Sequence, residues 1–142
     1  METGLVRKRL LQTLTAVRDR AQTRRARVTE AERAFDTFLE VVATPLVRQI
    51  VGALKAEGYA FTVFTPGKAV RLAADRGRDD YIELTLDTDS DQPQVLARIS
   101  RTRGSRTIDV ERPVKEGVAP DALTEDDVLE FLLAALEPFL ER

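Results

Sequence analysis

The stretch Thr44–Thr65, TPLVRQIVGALKAEGYAFTVFT, contains the change of hydrophobic period on which the fold depends. In its first half, apolar residues recur every three to four positions, as they do on one face of an amphipathic helix. In its last seven residues, apolar and small or polar residues alternate, as they do in a strand. Thr44 suits the N-cap of the helix, Pro45 its first position and Gly58 the position after its end. The chain is therefore predicted to pass from helix to sheet within this stretch.

Downstream, the alternating pattern recurs in four more segments: AVRLAAD, DYIELTLD, QVLARIS and RTIDVE. Turn-forming residues separate them, so the five strands are predicted to form an antiparallel meander. One face of this sheet is apolar from the first strand to Ile108 and Val110 in the last, and we expect helices to cover it. The other face carries a row of alternating charges, Arg71, Glu83, Arg98 and Asp109. Cross-strand ion pairing on a solvated face is the expected role of that row.

A last helix is predicted in TEDDVLEFLLAALEPFLER, which begins at Thr124. Thr124 suits the N-cap, and Asp127 is placed to complete a variant of the capping box. Pro138 is expected to end or kink this helix. Its apolar surface is broader than one sheet face needs, so part of it is predicted to meet another partner.

Upstream, a long helix is predicted from about Leu5 to Val42, with apolar residues repeating in heptads. The a positions are Leu14, Ala21, Val28, Phe35 and Val42, and the d positions are Leu10, Val17, Arg24, Ala31 and Phe38. Arg24 is the one polar residue in this seam. A heptad seam of this length predicts a coiled-coil contact that reaches beyond one small sheet. Phe35 and Phe38 are expected where the seam enters the core, and they are also predicted to take part in the interaction surface.

These elements predict an α+β protein: a long N-terminal helix, a short second helix, a five-stranded antiparallel β-meander and a C-terminal helix. Residues 1–43 are predicted to be an oligomerisation arm, and residues 44–142 an α+β domain. The favoured function is non-enzymatic protein–protein interaction, with a homodimer or another homo-oligomer as the expected state. An unknown second protein is an alternative partner.

Five arginines near the middle of the long helix bear on the choice of partner. Arg18 and Arg25 fall at e positions, Arg20 and Arg27 at g positions, and Arg24 in the seam. A parallel self-pair would oppose Arg20 and Arg25, which repel each other. The seam is therefore predicted to contact an acidic and partly apolar surface. The last helix fits, whether it comes from the same chain or from a second copy, and the acidic residues predicted to take part are Glu125, Asp126 and Glu130.

Two alternative functions compete with this one. The Arg18–Arg27 cluster is also typical of nucleic-acid-binding helices, although it has no neighbouring aromatic residue for base stacking. Carboxylates and arginines alone can also support a small-ligand site or an enzyme. The protein has no histidine and no cysteine, which removes the commonest general base and the usual zinc ligands. No catalytic residue, cofactor or metal site is predicted.

Two short motifs favour turns over ligand sites. TPGK, at Thr65–Lys68, lacks the earlier glycine and the following helix of a phosphate loop. Asp87, Asp89 and Asp91 alternate as in a calcium loop, but Gln92 and Arg98 stand where that loop requires glycine and glutamate. A solvated hairpin tip is the predicted role of this segment, and cation binding stays open.

Charge and hydropathy complete the expectations. The net charge is −2, but residues 1–33 carry nine Lys/Arg against four Asp/Glu, and the remainder carries thirteen against twenty. Opposite charges on the two parts favour attraction within one chain or between copies of the chain. The sequence shows neither a secretory signal nor an apolar run long enough to span a membrane, so a cytoplasmic protein without membrane contact is expected.

Overall fold

The protein is described by a computed structural model that covers residues 1–141. Helix α1 spans Thr3–Phe38, a π-helical turn spans Leu39–Ala43, and α2 spans Thr44–Ala56. The strands follow as β1 (Phe61–Phe64), β2 (Val70–Ala74), β3 (Tyr81–Asp87), β4 (Gln94–Arg103) and β5 (Arg106–Pro113). A short 3₁₀ helix, Pro120–Ala122, precedes α3, which spans Glu125–Leu140.

The five strands form one antiparallel sheet in the order β1-β2-β3-β4-β5. This meander, with a long helix before it and one after it, confirms the predicted α+β fold. The turn between β4 and β5 uses Gly104 at φ 64°, a backbone conformation that favours glycine. Thr124 caps α3, and its capping box with Asp127 is complete, as predicted.

The break predicted before Thr44 is wrong, because the backbone stays helical from α1 into α2. Thr44 has helical φ and ψ angles, and its N–H donates to the carbonyl of Leu39, five residues back. Pro45, which follows, has no N–H, and its ring would collide with the carbonyl four residues back in a regular α-helix. A π turn immediately before the proline changes this local geometry and keeps the helix unbroken.

The chain divides into two compact units, Met1–Glu30 and Ala31–Arg142. The sequence placed this boundary after residue 43 instead. The difference has a physical cause, since Ala31, Phe35 and Phe38 are all buried with the second unit's core. The last two turns of α1 therefore belong to the second unit, although they continue the heptad pattern of the first.

One core holds the second unit together, between the helices and one face of the sheet. From the helices it takes mainly Phe35, Phe38, Leu46, Val47, Ile50, Val128, Leu132, Leu136 and Phe139. From the sheet it takes Phe61, Val70, Leu72, Ile82, Leu84, Val95 and Ala97. These sheet residues lie on the predicted apolar face, and the cross-strand register aligns them.

The apolar face is less completely covered at β5. Ile108 and Val110 are 38% and 45% exposed, and all residues of β5 except Pro113 are exposed. At the C-terminal end of the strand, the Arg112 guanidinium lies 5.2 Å from the ring centroid of Phe131 on α3. The expectation that helices cover the whole face therefore holds for β1 to β4 only.

Candidate protein–protein interface

The first unit, Met1–Glu30, consists of the part of helix α1 that ends at Glu30 and the two residues before the helix, and most of its residues are exposed. Its large apolar side chains share this exposure: Leu5 45%, Val6 47%, Leu10 56%, Leu11 54% and Val17 46%. Leu14, Ala21 and Val28, on the same seam, are only half-buried. A helix of this kind gains its stability mainly by packing an apolar face against another surface. Its seam is therefore a candidate interface.

Sequence reasoning identified part of this surface. Leu10 and Val17 lie on the predicted seam. Val6 and Leu11 occupy g and e positions at its two edges and widen the apolar strip toward the N-terminus, whereas Leu5 occupies an f position on the opposite side of the helix. Leu11 was identifiable from the sequence, since it occupies an e position next to the d-position Leu10. A shallow groove on the b, c, e and f side of this helix, away from the seam, is lined by Lys8, Leu11, Gln12, Thr15, Ala16 and Asp19.

The five arginines of the candidate interface, Arg18, Arg20, Arg24, Arg25 and Arg27, are all exposed on α1. Residues 1–30 contain eight Lys/Arg and three Asp/Glu, a net charge of +5. The arginines flank the exposed seam on both edges, at the heptad positions that set partner choice in helix pairs. Apart from Arg24, which lies within the seam, this surface is apolar in its middle and cationic at its margins.

Phe35 and Phe38 have a different role, because neither is accessible to a partner. Their side chains are 1% and 3% exposed, and their rings stack with centroids 5.9 Å apart. An ion pair between Asp36 and Lys68, 3.8 Å apart, lies on the neighbouring surface. The two phenylalanines anchor the last turns of α1 in the core of the second unit.

The predicted acidic surface lies on the outward side of α3. Glu125, Asp126 and Glu130 are exposed, as is Glu137 two turns further along. Leu133 is 52% exposed on the same side. The excess apolar surface predicted for this helix is otherwise taken up by the core, since Leu129, Phe131 and Leu140 pack against it.

The charged row on the open face of the sheet is real, but one of its members is displaced. Arg71 pairs with Glu83 at 3.1 Å and stacks on Tyr81, its guanidinium carbon 4.0 Å from the ring centroid. The backbone register places Glu111 opposite Arg98 and Ser100 opposite Asp109. Arg98 reaches diagonally to Asp109, with its Nη2 2.6 Å from Oδ2 and its Nε 3.1 Å from Oδ1.

The ion pair between Arg98 and Asp109 keeps both of its members charged. The hydrogen bond from Arg98 lowers the pKa of Asp109 below its ordinary value, because it outweighs the opposing effect of desolvation. The bond to Asp109, and then the nearby Tyr81 hydroxyl, raise the pKa of Arg98. General acid–base catalysis needs a group whose pKa is near the working pH. The Arg98–Asp109 pair instead suits a structural cross-strand role.

Both carboxylate oxygens of Asp87, at the start of the Asp87–Asp91 loop, accept hydrogen bonds from nearby residues. One oxygen of Asp87 accepts the backbone N–H of Asp89 at 3.0 Å, and the other accepts the side-chain amide of Gln94 at 3.3 Å. Desolvation would raise the pKa of Asp87, but these bonds and those from Ser90 lower it. Within residues 1–141, no group of three His, Cys, Asp or Glu residues is arranged to hold a metal ion.

Two concave sites of the second unit are small. One, of about 170 Å³, is lined by Gly58, Tyr59, Ala60, Phe61, Ala74, Arg76 and Phe139. The other, of about 240 Å³, is lined by Glu32, Phe35, Asp36, Lys68, Thr85, Leu86 and Thr88. Ligand pockets are commonly about 300–1,000 Å³ and bring several polar groups together. Neither site combines that volume with a nucleophile and a base.

The helical segment Thr3–Ala56 contains a window of 18 residues that is long and apolar enough to cross a membrane. The core helix of a soluble protein passes the same test of length and composition. Here, 33% of the window is buried inside the protein. Leu46, Val47 and Ile50 of α2 are buried in the core, which accounts for apolar residues in this part of the helix.

Comparison with known proteins identifies no family for the chain. No protein-family model matches the chain, and neither a curated protein nor a solved structure matches it significantly.

Proposed function

We propose that this chain is a non-enzymatic protein–protein interaction module that self-associates through the seam of α1. The exposure of the seam carries the proposal. Leu10 and Val17, both d positions, are 56% and 46% exposed, although a helix of this pattern is stabilised by burying its stripe. A second copy of the chain can bury this stripe without the need for a different protein.

The charge distribution supports a second copy as the partner. Residues 1–30 carry a net charge of +5, and residues 125–140 carry five acidic and no basic residues. A copy of the chain therefore offers both an apolar seam and a surface of opposite charge. Complementary charges increase association rates and select the partner, even where each exposed pair contributes little to affinity.

The test adds charge to the seam without touching the core. Leu10→Glu with Val17→Glu places two carboxylates at exposed d positions. Gln12→Glu with Ala26→Glu adds the same charge to the same helix at f positions, which face away from the seam, and is the matched control. Sedimentation velocity of the full chain is expected to show an oligomer for the wild type and the control, and a monomer for the d-position variant. An equal distribution of species in all three proteins would contradict the proposal.

A further inference from the structure

We propose that α1 of one copy docks on the outward face of α3 of a second copy, arginines against carboxylates. This inference rests on the proposed self-association and identifies the surface that the arginine-bearing part of the seam contacts. Two surfaces are defined for it. The arginine stripe consists of Arg20, Arg24 and Arg27, and the acidic stripe consists of Asp126, Glu130 and Glu137 with Leu133 between them.

The acidic stripe is one continuous face of α3. Its members are spaced by four, three and four residues, which places them on one side of a helix. All four are exposed, whereas Val128, Leu132 and Leu136 on the other side are buried in the core. Helix α3 carries no basic residue, so nothing on the helix itself neutralises these carboxylates.

The arginine stripe repeats the same spacing. Arg20, Arg24 and Arg27 are separated by four and three residues, and Glu137, Leu133 and Glu130 are separated by four and three when α3 is followed backwards. In an antiparallel contact, Arg20 therefore meets Glu137 and Arg27 meets Glu130. Each pair of charges lies seven residues apart, roughly 10 Å at 1.5 Å per residue.

The middle of the contact matches as well. Arg24 falls opposite Leu133, whose side chain is 52% exposed, and next to the exposed Ala134. The methylene stem of an arginine covers apolar surface while its guanidinium reaches a nearby carboxylate. An arginine in an otherwise apolar seam is thus accommodated by this partner.

Pairing of α1 with α1 is the competing arrangement, and the arginines disfavour it. In a parallel pair, the g-position Arg20 of one helix faces the e-position Arg25 of the other. In an antiparallel pair, g faces g and e faces e, which again brings arginines together. Docking on α3 removes this repulsion and supplies opposite charges.

Reciprocal docking also closes the assembly. If α1 of each copy contacts α3 of the other, two identical contacts form around a two-fold axis, and the dimer leaves no stripe uncovered. The proposed assembly is therefore a dimer with two α1–α3 contacts.

Charge reversal in trans tests this arrangement. The Arg-reversed chain carries Arg20→Glu, Arg24→Glu and Arg27→Glu, and the acid-reversed chain carries Asp126→Lys, Glu130→Lys and Glu137→Lys. In a dimer of either variant alone, like charges face each other in both α1–α3 contacts. The dissociation constant of that dimer is therefore expected to rise by at least about tenfold. An equimolar mixture restores opposite charges in both contacts and is expected to form a heterodimer with affinity near that of the wild type.

The outcomes separate this inference from the proposed function. A wild-type chain that is monomeric in the same assay would overturn both. An acid-reversed chain that associates as the wild type does would overturn α3 as the docking site and leave self-association through α1 standing. Two dissociated variants that fail to associate when mixed would also overturn the docking arrangement.

Controls guard against misfolding and general charge effects. Arg78→Glu, Arg103→Glu and Arg106→Glu reverse three exposed arginines outside both stripes, and this variant is expected to associate as the wild type does. Circular dichroism checks that each variant retains its helices. Should the acid-reversed chain lose them, Glu130→Gln with Glu137→Gln replaces it, and a dissociation constant raised by at least about twofold is expected. An unchanged constant for that folded variant would overturn the inference.

Discussion

Truncation of Phe38 measures how firmly α1 is anchored in the second unit. The side chain is 3% exposed and stacks on Phe35, which is 1% exposed. Replacement by alanine removes the buried ring and leaves a cavity, which typically costs about 3–5 kcal/mol. The loss of a stacked aromatic pair accounts for roughly 0.5–1.5 kcal/mol of the interaction in such sites. Since whole domains are stable by only about 5–15 kcal/mol, the change removes a large share of the free energy of unfolding.

Urea unfolding followed by circular dichroism, at a fixed protein concentration, is the assay. Phe38→Ala is expected to lower the urea concentration at the unfolding midpoint without changing the dependence of the unfolding free energy on urea. The unfolding temperature is expected to fall by roughly 6–20 °C, at about 2–4 °C per kcal/mol. Phe38→Leu keeps most of the apolar volume and is expected to lose under about 2 kcal/mol. Gln12→Ala, an exposed site on the same helix, is the control and should stay within about 0.5 kcal/mol of the wild type. Equal midpoints for Phe38→Ala and Gln12→Ala would refute the burial of this end of α1.

Three further outcomes are expected. Because the pKa of Asp109 is lowered in the folded protein, the stabilisation from its pair with Arg98 is present above the ordinary pKa of 3.8 and is lost as the pH falls through the lower folded value. Between about pH 5 and about pH 2, the unfolding temperature should therefore decrease less for Asp109→Asn than for the wild type. Parallel curves of unfolding temperature against pH would contradict the pairing. Pro45→Ala restores the backbone N–H that proline lacks just after the π turn and is expected to raise the unfolding temperature, since proline inside a helix costs roughly 3 kcal/mol relative to alanine; an unchanged or lower unfolding temperature would contradict this expectation. The purified chain, which has no tryptophan, should show the low 260/280 nm absorbance ratio of protein alone. A higher ratio, from retained nucleic acid, would favour the alternative hypothesis that the Arg18–Arg27 cluster binds nucleic acid.

Periodicity predicted most of the fold because it reports directly on which side of an element is buried. The strands alternate between Val70, Leu72 and the charged or small residues between them, and the structure buries the expected face. Phe35 and Phe38 were assigned to the core for the same reason, and they lie there. Capping chemistry was equally informative, since Gly58, predicted just after the end of the second helix, has a positive φ of 89° there.

Other features depend on geometry that no local pattern contains. Thr44 and Pro45 match the start of a helix, yet the same pair follows a π turn inside a continuous one. Ile108 and Val110 alternate as a buried strand does, but they are only partly covered at the last strand. The alternating pattern defines a face and does not show how far the covering helices extend.

The candidate interface was only partly predictable. The heptads located the seam, and the charge of the last helix indicated the acidic surface. That Leu133 and Glu137 belong to the candidate interface could be inferred only once the buried side of α3 was known, because the sequence alone leaves a broadly apolar helix without a defined outward face. The spacing match between the two stripes emerged once that face was known.

The mass of the unmodified full chain in solution tests self-association most directly. Light scattering coupled to size-exclusion chromatography, at low micromolar concentration, is expected to give a dimer of twice the chain mass of 15.9 kDa. A single species of 15.9 kDa across that concentration range would contradict the account.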